Sequence, residues 1–349
     1  MKTKTETNNH RVSIIIPAWN VASTLRQVLE PLLPLPEGWN ILVVDDGSTD
    51  KTVEIARQMG VTVIPSDGRR SDLAARNTGV RATKGEILIF LDADVLTNIN
   101  DLTDSVSRLL EGSRTCLFGV YNRGQHLGNT VSRYKNYWIR HSTLNASKPL
   151  RWLNSSLIII RRSSFLEIDG FRELFTCTHG GGDLDFGRRI AENGGSVEVD
   201  PMLQVSHLKQ FSLHKLWIND YQRAQGWLRH ALEFNGLKSV IAKPSLANVS
   251  PGFSWGVVAA ALAILSATLS PFDALFLLLA AFLLLLAILL NYRFIRDAVH
   301  EKVRGAPLFI PLLWFDQIAC ATGLLAAVTG LMLQKILGRG FAASRAPHQ

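Results

Sequence analysis

The chain has 349 residues, with 37 Lys and Arg residues against 29 Asp and Glu residues and a formal net charge of +8. It is longer than a usual single domain of roughly 100–200 residues. A positive charge can attract nucleic acid, but the long apolar segments of the C-terminal third favour anionic lipid headgroups instead, so no nucleic-acid binding is expected. The three cysteines lack metal-ligand spacing, which argues against a cysteine-held metal centre.

Short apolar runs alternate with helical patterns from residue 11 onward. In chain order, the predicted strands and helices are Val12–Ile16, Ala22–Leu33, Ile41–Val44, a helix ending at Met59, Val61–Ile64, Asp72–Ala82 and Ile87–Leu91. Strands that are apolar throughout and separated by helices indicate an α/β fold with a parallel sheet covered on both faces. No Gly-x-Gly-x-x-Gly follows the first strand and there is no Walker lysine, which argues against dinucleotide-binding and P-loop versions.

Polar residues follow the predicted strands where the strands end. They are Pro17 and Asn20, Asp45 and Asp46, and Asp92 and Asp94. Ligands of open α/β sheets bind beyond the carboxyl ends of the strands. The carboxylates after the second strand can accept hydrogen bonds from a base or a ribose, and Asp92-Ala93-Asp94 can hold Mg²⁺ or Mn²⁺. Arg76 can stack on a base or pair with a phosphate. The alternative makes Asp45 and Asp46 turn acids and Arg76 a solvated helix residue.

A glycine run ending at Gly182 leads into Asp183 and Asp185 before a predicted helix, Phe186–Glu192. An isolated Asp at this place would be a helix N-cap that stabilises by about 1 kcal/mol. A glycine-rich loop also suits closure over a substrate, and a carboxylate there can take a proton from an attacking hydroxyl. We therefore interpret Asp183 as a candidate catalytic base. Gly182 and Asp185 are candidates for the acceptor loop, although a structural role is favoured for Asp185.

Two further candidates come from the same half of the domain. His207 follows the predicted strand Val197–Val205 and is either a structural histidine, a metal ligand or a contact of a leaving diphosphate. The stretch from Tyr121 to Trp152 is basic and aromatic. It is either a solvated face over the core or a surface that meets lipid headgroups or an acceptor phosphate, and Trp152 is retained as an acceptor-region candidate.

The ordered motifs resemble those of the family 2 glycosyltransferases, which have the GT-A fold. The motifs are Val12–Pro17 with Asn20, Val43–Asp50, Ala75–Asn77 with Gly79, Phe90–Asp94, Asn154 with Ile158, Arg161-Arg162, Gly170-Phe171, Gly182–Asp185 and Val205–His207. The resemblance covers about residues 11–210. It implies that Asp45 or Asp46 contacts the nucleotide base, Asp92 the ribose and Asp94 the divalent cation, while Asp183 is the general base of an inverting displacement.

The chain departs from the family pattern at two places. Gly182 stands where the family often has Glu immediately before the base, which affects how the acceptor is held. The processive polymer synthases of the family carry Gln-x-x-Arg-Trp after the catalytic loop, whereas this chain has Gln222–Trp227 without that pattern. The resemblance therefore implies addition of a single sugar.

Three apolar segments follow the α/β domain: Phe253–Leu269, Phe272–Leu290 and Pro307–Leu333, the last interrupted by Asp316 and Gln317. Because roughly 20 apolar residues cross a bilayer, we predict transmembrane helices here. The alternative is a buried helical hairpin of a soluble protein. The link after the second segment is basic and the link after the first has no Lys or Arg, so the positive-inside rule puts the basic link and the catalytic domain in the cytoplasm.

Taken in order, the predicted regions are a polar tail (1–10), a GT-A domain with a mixed, mostly parallel sheet (11–211), an amphipathic interfacial segment (212–250), an α-helical membrane region (251–337) and a tail (338–349). The predicted protein is an inverting glycosyltransferase of a bacterial-type inner membrane. It uses Mg²⁺ or Mn²⁺ to move one sugar from a UDP- or GDP-linked donor to a lipid or lipid-linked acceptor. A polyprenyl-phosphate sugar synthase and a catalytically inactive membrane scaffold are the alternatives.

Overall fold

A computed structural model describes residues 11–67, 71–173, 181–234 and 249–336. Both predicted tails lie outside the described residues, as does part of the predicted interfacial segment. An eight-stranded sheet organises the N-terminal domain, with the strand order β3-β2-β1-β4-β7-β6-β8-β5. The strands are β1 (Val12–Ala18), β2 (Trp39–Asp45), β3 (Thr62–Pro65), β4 (Ile87–Leu91), β5 (Val95–Leu96), β6 (Cys116–Tyr121), β7 (Leu157–Arg161) and β8 (Val197–His207).

Helices cover the sheet and continue into the C-terminal region. Those of the first domain are α1 (Leu25–Leu29), α2 (Thr52–Gln58), α3 (Asp72–Ala82), α4 (Ile99–Leu110), α5 (Thr130–Leu144), α6 (Arg162–Glu167) and α7 (Gly181–Glu192). They are followed by α8 (Leu213–Phe234), α9 (Pro251–Leu269), α10 (Leu275–Leu290), α11 (Tyr292–His300) and α12 (Phe309–Ile336). Side-chain caps fix several starts: the Asn98 side chain accepts from the Asp101 backbone N–H at 2.9 Å and begins α4.

The sheet is parallel where the sequence predicts it and mixed beyond. β1 pairs in parallel with β2 and β4, and β2 with β3. β7 then enters antiparallel to both β4 and β6, and β5 pairs antiparallel with β8. Alternate residues of β1 and β4 are buried on both faces, which is why these strands are apolar throughout.

Two predicted helices have different limits. In place of the predicted helix Ala22–Leu33, the structure has the short α1 followed by a 3₁₀ turn, Glu30–Leu32. The α-helix stops here because Pro31 cannot donate the backbone hydrogen bond that an α-helix interior requires. Helix α7 begins at Gly181 rather than at Phe186, so Gly182 and Asp183 lie in its first turn and not in a loop.

The C-terminal region contains two helices long and apolar enough to cross a membrane, Pro251–Leu269 and Ala306–Leu333. The second predicted segment differs, since helix α10 starts at Leu275 and has only 16 residues. It reaches the length of a span only together with α11, against which it bends by 53°. The Asn291 side chain donates to the Gly252 carbonyl at 3.1 Å and thus joins the far end of α10 to the start of α9 as a hairpin.

The link between α11 and α12 contacts the catalytic domain directly. The Gln125 amide donates to the Lys302 carbonyl at 3.3 Å, and the Arg133 guanidinium donates to the Arg304 carbonyl at 2.8 Å. These contacts put the basic link beside the catalytic domain.

Buried charges join α5, α8 and α12 in what we call the junction cluster: Tyr134, Lys135, Asp220, Arg223 and Asp316. The Lys135 ammonium bonds the Asp220 carboxylate and lies 3.8 Å from Asp316, which also accepts from the Tyr134 hydroxyl at 2.8 Å. Arg223 lies 3.6 Å from Asp220. Because Tyr134 and Lys135 are buried, the interpretation of this stretch as a solvated face is wrong for α5.

Candidate active site

The loops after β1 and β2 are tied together by Asn20. This residue has a left-handed backbone, with φ of 52°. Its side-chain oxygen accepts from the Thr49 backbone N–H at 2.8 Å, and its own N–H donates to the Ser48 hydroxyl at 3.0 Å. Pro17 lies in β1 opposite Val44. Asn20 therefore shapes the edge of the sheet through the loop that it holds.

The two carboxylates after β2 differ in their surroundings. Asp45 is half-buried, and its Oδ1 accepts from the Ser48 N–H at 3.1 Å. Asp46 is buried and accepts from the Ser66 hydroxyl, while its backbone N–H donates to the Ala18 carbonyl at 2.8 Å. Asp45 is consequently the more accessible acceptor at this strand end.

Arg76 holds two carboxylates at once. One Nη atom lies 2.8 Å from Asp72 and the other 2.6 Å from Asp92. Since only 1% of the arginine is exposed, the interpretation as a solvated helix residue is wrong. Burial raises the pKa of Asp92 to about 6 against the lowering effect of Arg76, and the neighbouring Asp94 raises it further. Arg76 thus fixes the orientation of Asp92.

Asp94 and His207 meet across the sheet edge. The pairing of Val95 with His207 between β5 and β8 brings the imidazole Nε2 to 3.4 Å from Asp94 Oδ2. The His207 ring stacks on Tyr121 with 4.8 Å between centroids, which fixes its plane. Burial raises the pKa of Asp94, but the hydrogen bond and charge of His207, with Lys209, bring it below its usual range.

Asp183 lies in the same group of charges. Its Oδ2 accepts from the Ser155 backbone N–H at 3.3 Å, while its Oδ1 is buried without a hydrogen-bond partner. Burial raises its pKa, and both Arg76 and Asp72 act on it electrostatically. A buried carboxylate with a raised pKa is a stronger base than a solvated one.

The remaining candidates have structural contacts. Asp185 is 1% exposed and is held by Arg188 at 2.8 Å and Arg189 at 2.7 Å. Trp152 packs against Phe118 in the core, with 5.8 Å between rings, and is 8% exposed. Gly182 is buried in the first turn of α7. These contacts give Asp185 and Trp152 little surface for an acceptor.

Sequence reasoning missed the residues that support the site. Asp72, Ser155, Tyr121 and Lys209 each act on a candidate residue, Asp72 from one turn earlier in the same helix and the other three through tertiary contacts. The pairing of β5 with β8 and the position of α7 decide the tertiary contacts, and no spacing in the sequence indicates either.

The residues at the sheet edge fit a divalent cation. Asp94 and His207 offer two ligand atoms on the same side, and Mg²⁺ or Mn²⁺ is commonly held by one or two carboxylates together with substrate phosphates. The described residues contain one group with three ligand atoms within 4.8 Å, Asp220, Asp316 and Cys320. The Lys135 ammonium already pairs with its carboxylates, so the two-ligand site suits a cation better.

A family model described as Glycosyl transferase family 2 matches residues 13–173. These residues form a family 2 glycosyltransferase domain. The match confirms the resemblance drawn from the motifs. The glycosyltransferase domain so defined includes Asp45, Asp92 and Asp94, whereas Asp183 and His207 come after the matched residues.

Curated relatives of the chain include glycosyltransferases. A pre-mycofactocin glycosyltransferase of Mycobacterium tuberculosis is 26% identical over 212 residues, which are 57% of this chain and 43% of the relative. The AglE glycosyltransferase of Haloferax volcanii is 34% identical over 36% of this chain and 44% of its own length. A UDP-Glc:alpha-D-GlcNAc-diphosphoundecaprenol beta-1,3-glucosyltransferase, WfgD of Escherichia coli, is 27% identical over 37% of this chain and 53% of its own length. The chain thus matches about half of the length of these relatives.

A solved structure shares the fold along most of the chain. The mannosyltransferase PcManGT of Pyrobaculum calidifontis, solved with GDP-Man and Mn²⁺, has a TM-score of 0.56 at 20% identity and covers 91% of this chain and 88% of its own. This likeness, with the mixed sheet, identifies the fold as GT-A followed by C-terminal helices.

Proposed function

We propose that the chain is a membrane-anchored, inverting glycosyltransferase that moves one sugar from a UDP- or GDP-linked donor to a lipid or lipid-linked acceptor. The observation that carries the proposal is the meeting of Asp94, His207 and Asp183 with Asp92 at one edge of the sheet. These residues come from three places in the chain, namely the end of β4, helix α7 and the end of β8, which the fold brings together.

The donor's nucleotide would lie along the ends of β1, β2 and β4. Asp45 is the accessible carboxylate for a base N–H, and Asp92, oriented by Arg76, accepts from the ribose hydroxyls. Asn20 holds the conformation of the loop after β2. These residues bind and orient the donor and take no part in bond changes.

Asp94 and His207 would hold Mg²⁺ or Mn²⁺ together with the donor's diphosphate. When bound, such a cation supplies Lewis acidity that offsets the charge of the departing nucleoside diphosphate. Stacking against Tyr121 keeps the His207 imidazole aimed at Asp94.

Asp183 would act on the acceptor. Its buried Oδ1 takes the proton from the acceptor hydroxyl as that oxygen forms a bond to the anomeric carbon. On the opposite face of the same carbon, the bond to the diphosphate oxygen breaks and the nucleoside diphosphate leaves. The single displacement inverts the configuration, and the Ser155 N–H holds the carboxylate in position.

The membrane helices would bring the lipid acceptor to this site. Helix α12 packs against α8, close enough that the Tyr221 carbonyl would lie 2.2 Å from a Cβ at Gly323. The basic link between α11 and α12 contacts the catalytic domain, and the positive-inside rule assigns both to the cytoplasm, where nucleotide sugars are made available.

The test incubates the purified full-length protein with lipid extract, Mg²⁺ or Mn²⁺ and a panel of labelled UDP- and GDP-sugars, followed by extraction of lipid. We expect one donor to label the lipid phase, with loss of the label in EDTA. An absence of nucleoside diphosphate binding and of transfer across the whole panel would contradict the proposal.

A further inference from the structure

A polar cavity of about 410 Å³ lies between the segment after β6, helix α5 and strand β8. This volume is within the range of ligand pockets, about 300–1,000 Å³. Its lining is uncharged polar or basic and includes no acidic residue; among its members are Asn122, Arg123, Gln125, His126, Arg140 and Ser206. We call it the basic cavity.

Arg140 is the buried cation of the basic cavity. It is 9% exposed, and its Nη1 donates to the Tyr121 carbonyl at 2.9 Å. Its Nε is buried without a hydrogen-bond partner. A buried guanidinium N–H without an acceptor costs stability, and an anionic oxygen bound in the cavity would remove that cost.

The charge balance of the basic cavity favours an anion. Among the described residues, Glu301 is the carboxylate that faces the cavity's cations: its Oε2 lies 2.9 Å from Arg123 Nε, and its charge also acts on Arg140. It offsets one of the two guanidinium charges, so one positive charge remains. A planar guanidinium matches the geometry of a phosphate group and binds two of its oxygens together.

The position of the cavity connects it with both the membrane helices and the strand-end site. Gln125 bonds the backbone of Lys302 and Arg304, in the link between α11 and α12, at 3.3 and 3.4 Å. Lipid phosphates lie at the level where such links leave the bilayer. On the other side, His126 Nε2 lies 3.1 Å from the carbonyl oxygen of His207.

We propose that the basic cavity binds the phosphate group of the acceptor lipid, with Arg140 and Arg123 as its cationic contacts. The acceptor class is then a sugar linked to lipid through a phosphate or diphosphate, whose sugar hydroxyl is the attacking group, and not a neutral glycolipid. This inference rests on the proposed function, because that function supplies the acceptor.

The test uses full-length protein in phosphate-free dodecyl maltoside micelles. Binding of undecaprenyl phosphate and of inorganic pyrophosphate is measured directly, and transfer kinetics are measured with undecaprenyl phosphate, an undecaprenyl-diphosphate-linked sugar and diacylglycerol as acceptors. Arg140→Gln is compared with Arg123→Gln, whose side chain is 51% exposed and therefore tolerates replacement. Arg57→Gln, on the exposed face of α2, is the matched control.

We expect Arg140→Gln to weaken binding of undecaprenyl phosphate and to raise the KM of the phosphate-bearing acceptor by about 10- to 100-fold, the loss typical of a hydrogen bond to a charged group. The donor KM should stay unchanged, and Arg123→Gln should act in the same direction. Unchanged acceptor binding in both variants, or an equal effect with diacylglycerol, would overturn the inference.

Two further outcomes separate the alternatives. If the variants lose affinity only for added phosphatidylglycerol, the cavity binds bulk lipid phosphate and the acceptor assignment is wrong. If no donor supports transfer but undecaprenyl phosphate binds and Arg140→Gln weakens it, the cavity assignment stands and the proposed function fails. Donor binding, measured in parallel with UDP and GDP, reports on the proposed function alone.

Discussion

The strand-end site and the junction cluster both gather charged side chains, but they differ in burial and in how the charges balance. At the junction, the two carboxylates Asp220 and Asp316 face the two cations Lys135 and Arg223. The strand-end site combines more acids than cations: Asp72, Asp92, Asp94 and Asp183 against Arg76, Lys209 and the imidazole of His207. Even partial removal of an unpaired charge from water is costly, so a surplus of half-buried carboxylates suits a place where a ligand supplies the missing charge.

Two of the strand-end carboxylates have raised pKa values. Burial raises the pKa of Asp92 to about 6 and raises that of Asp183, and the lowering effect of Arg76 does not cancel it. The junction cluster joins three helices that the sequence separates widely, and its balanced charges suit a structural contact. The surplus of half-buried carboxylates therefore indicates function at the strand end, and the balanced, buried charges indicate stability at the junction.

The largest expected effect is that of Asp183→Asn. Removing a positioned base should lower kcat by about 10²- to 10⁴-fold while the affinity for the nucleotide sugar stays near normal. Steady-state kinetics and nucleotide titration measure the two quantities. Asp104→Asn, on the exposed face of α4, is the control and should keep its turnover. If Asp183→Asn lost nucleotide affinity with little change in kcat, Asp183 would belong to the donor site.

Substitutions in the junction cluster should lower the stability of the protein. Lys135→Met leaves two buried carboxylates without their ammonium partner, and breaking a buried pair from one side costs about 3–5 kcal/mol. Thermal unfolding of the full-length protein in detergent should therefore begin at a clearly lower temperature, whereas Lys51→Met at an exposed site should change little. A normal unfolding temperature combined with lost transfer would make the junction a functional site, and its assignment as a stabilising contact would be wrong.

The acid side of the kcat–pH profile tests the role of Asp183 as the base, with a smaller expected effect. Asp183 must be deprotonated to accept a proton, and burial raises its pKa above the ordinary 3.8. With saturating metal and donor, kcat should fall as the pH drops through this raised pKa. This acid limb of the profile should therefore come at a higher pH than for a solvated Asp. Asp104→Asn should retain the limb. The residual activity of Asp183→Asn should not show this acid limb. An unchanged acid limb in that variant would mean that another group causes the fall in kcat.

The sequence predicted the first half of the sheet well, because local signals define it. Helix α3 and strand β4 have the predicted limits, since a serine cap starts one and an apolar run bounded by Asp92 defines the other. The start of α7 was missed because its glycines have low intrinsic helix propensity, and tertiary packing decides their conformation.

The site was predictable only in part for a related reason. Asp45, Asp92 and Asp94 follow strands directly, so their common edge can be read from the chain. The approach of His207 depends on the pairing of β5 with β8, and the contact of Arg76 with Asp92 joins α3 to the end of β4. These long-range contacts carry no local signal, whereas the spacing of Asp72 and Arg76 by four residues in one helix does.

The most direct test of the cation site at Asp94 and His207 is Mn²⁺ binding to the purified full-length protein. Binding is followed by electron paramagnetic resonance with and without UDP or GDP. We expect Mn²⁺ to bind together with the nucleoside diphosphate, to be lost in Asp94→Asn and to be retained in Asp104→Asn. Retention of Mn²⁺ in Asp94→Asn, or full transfer activity in EDTA, would contradict the claim that the surplus carboxylates of the strand-end site hold a catalytic cation.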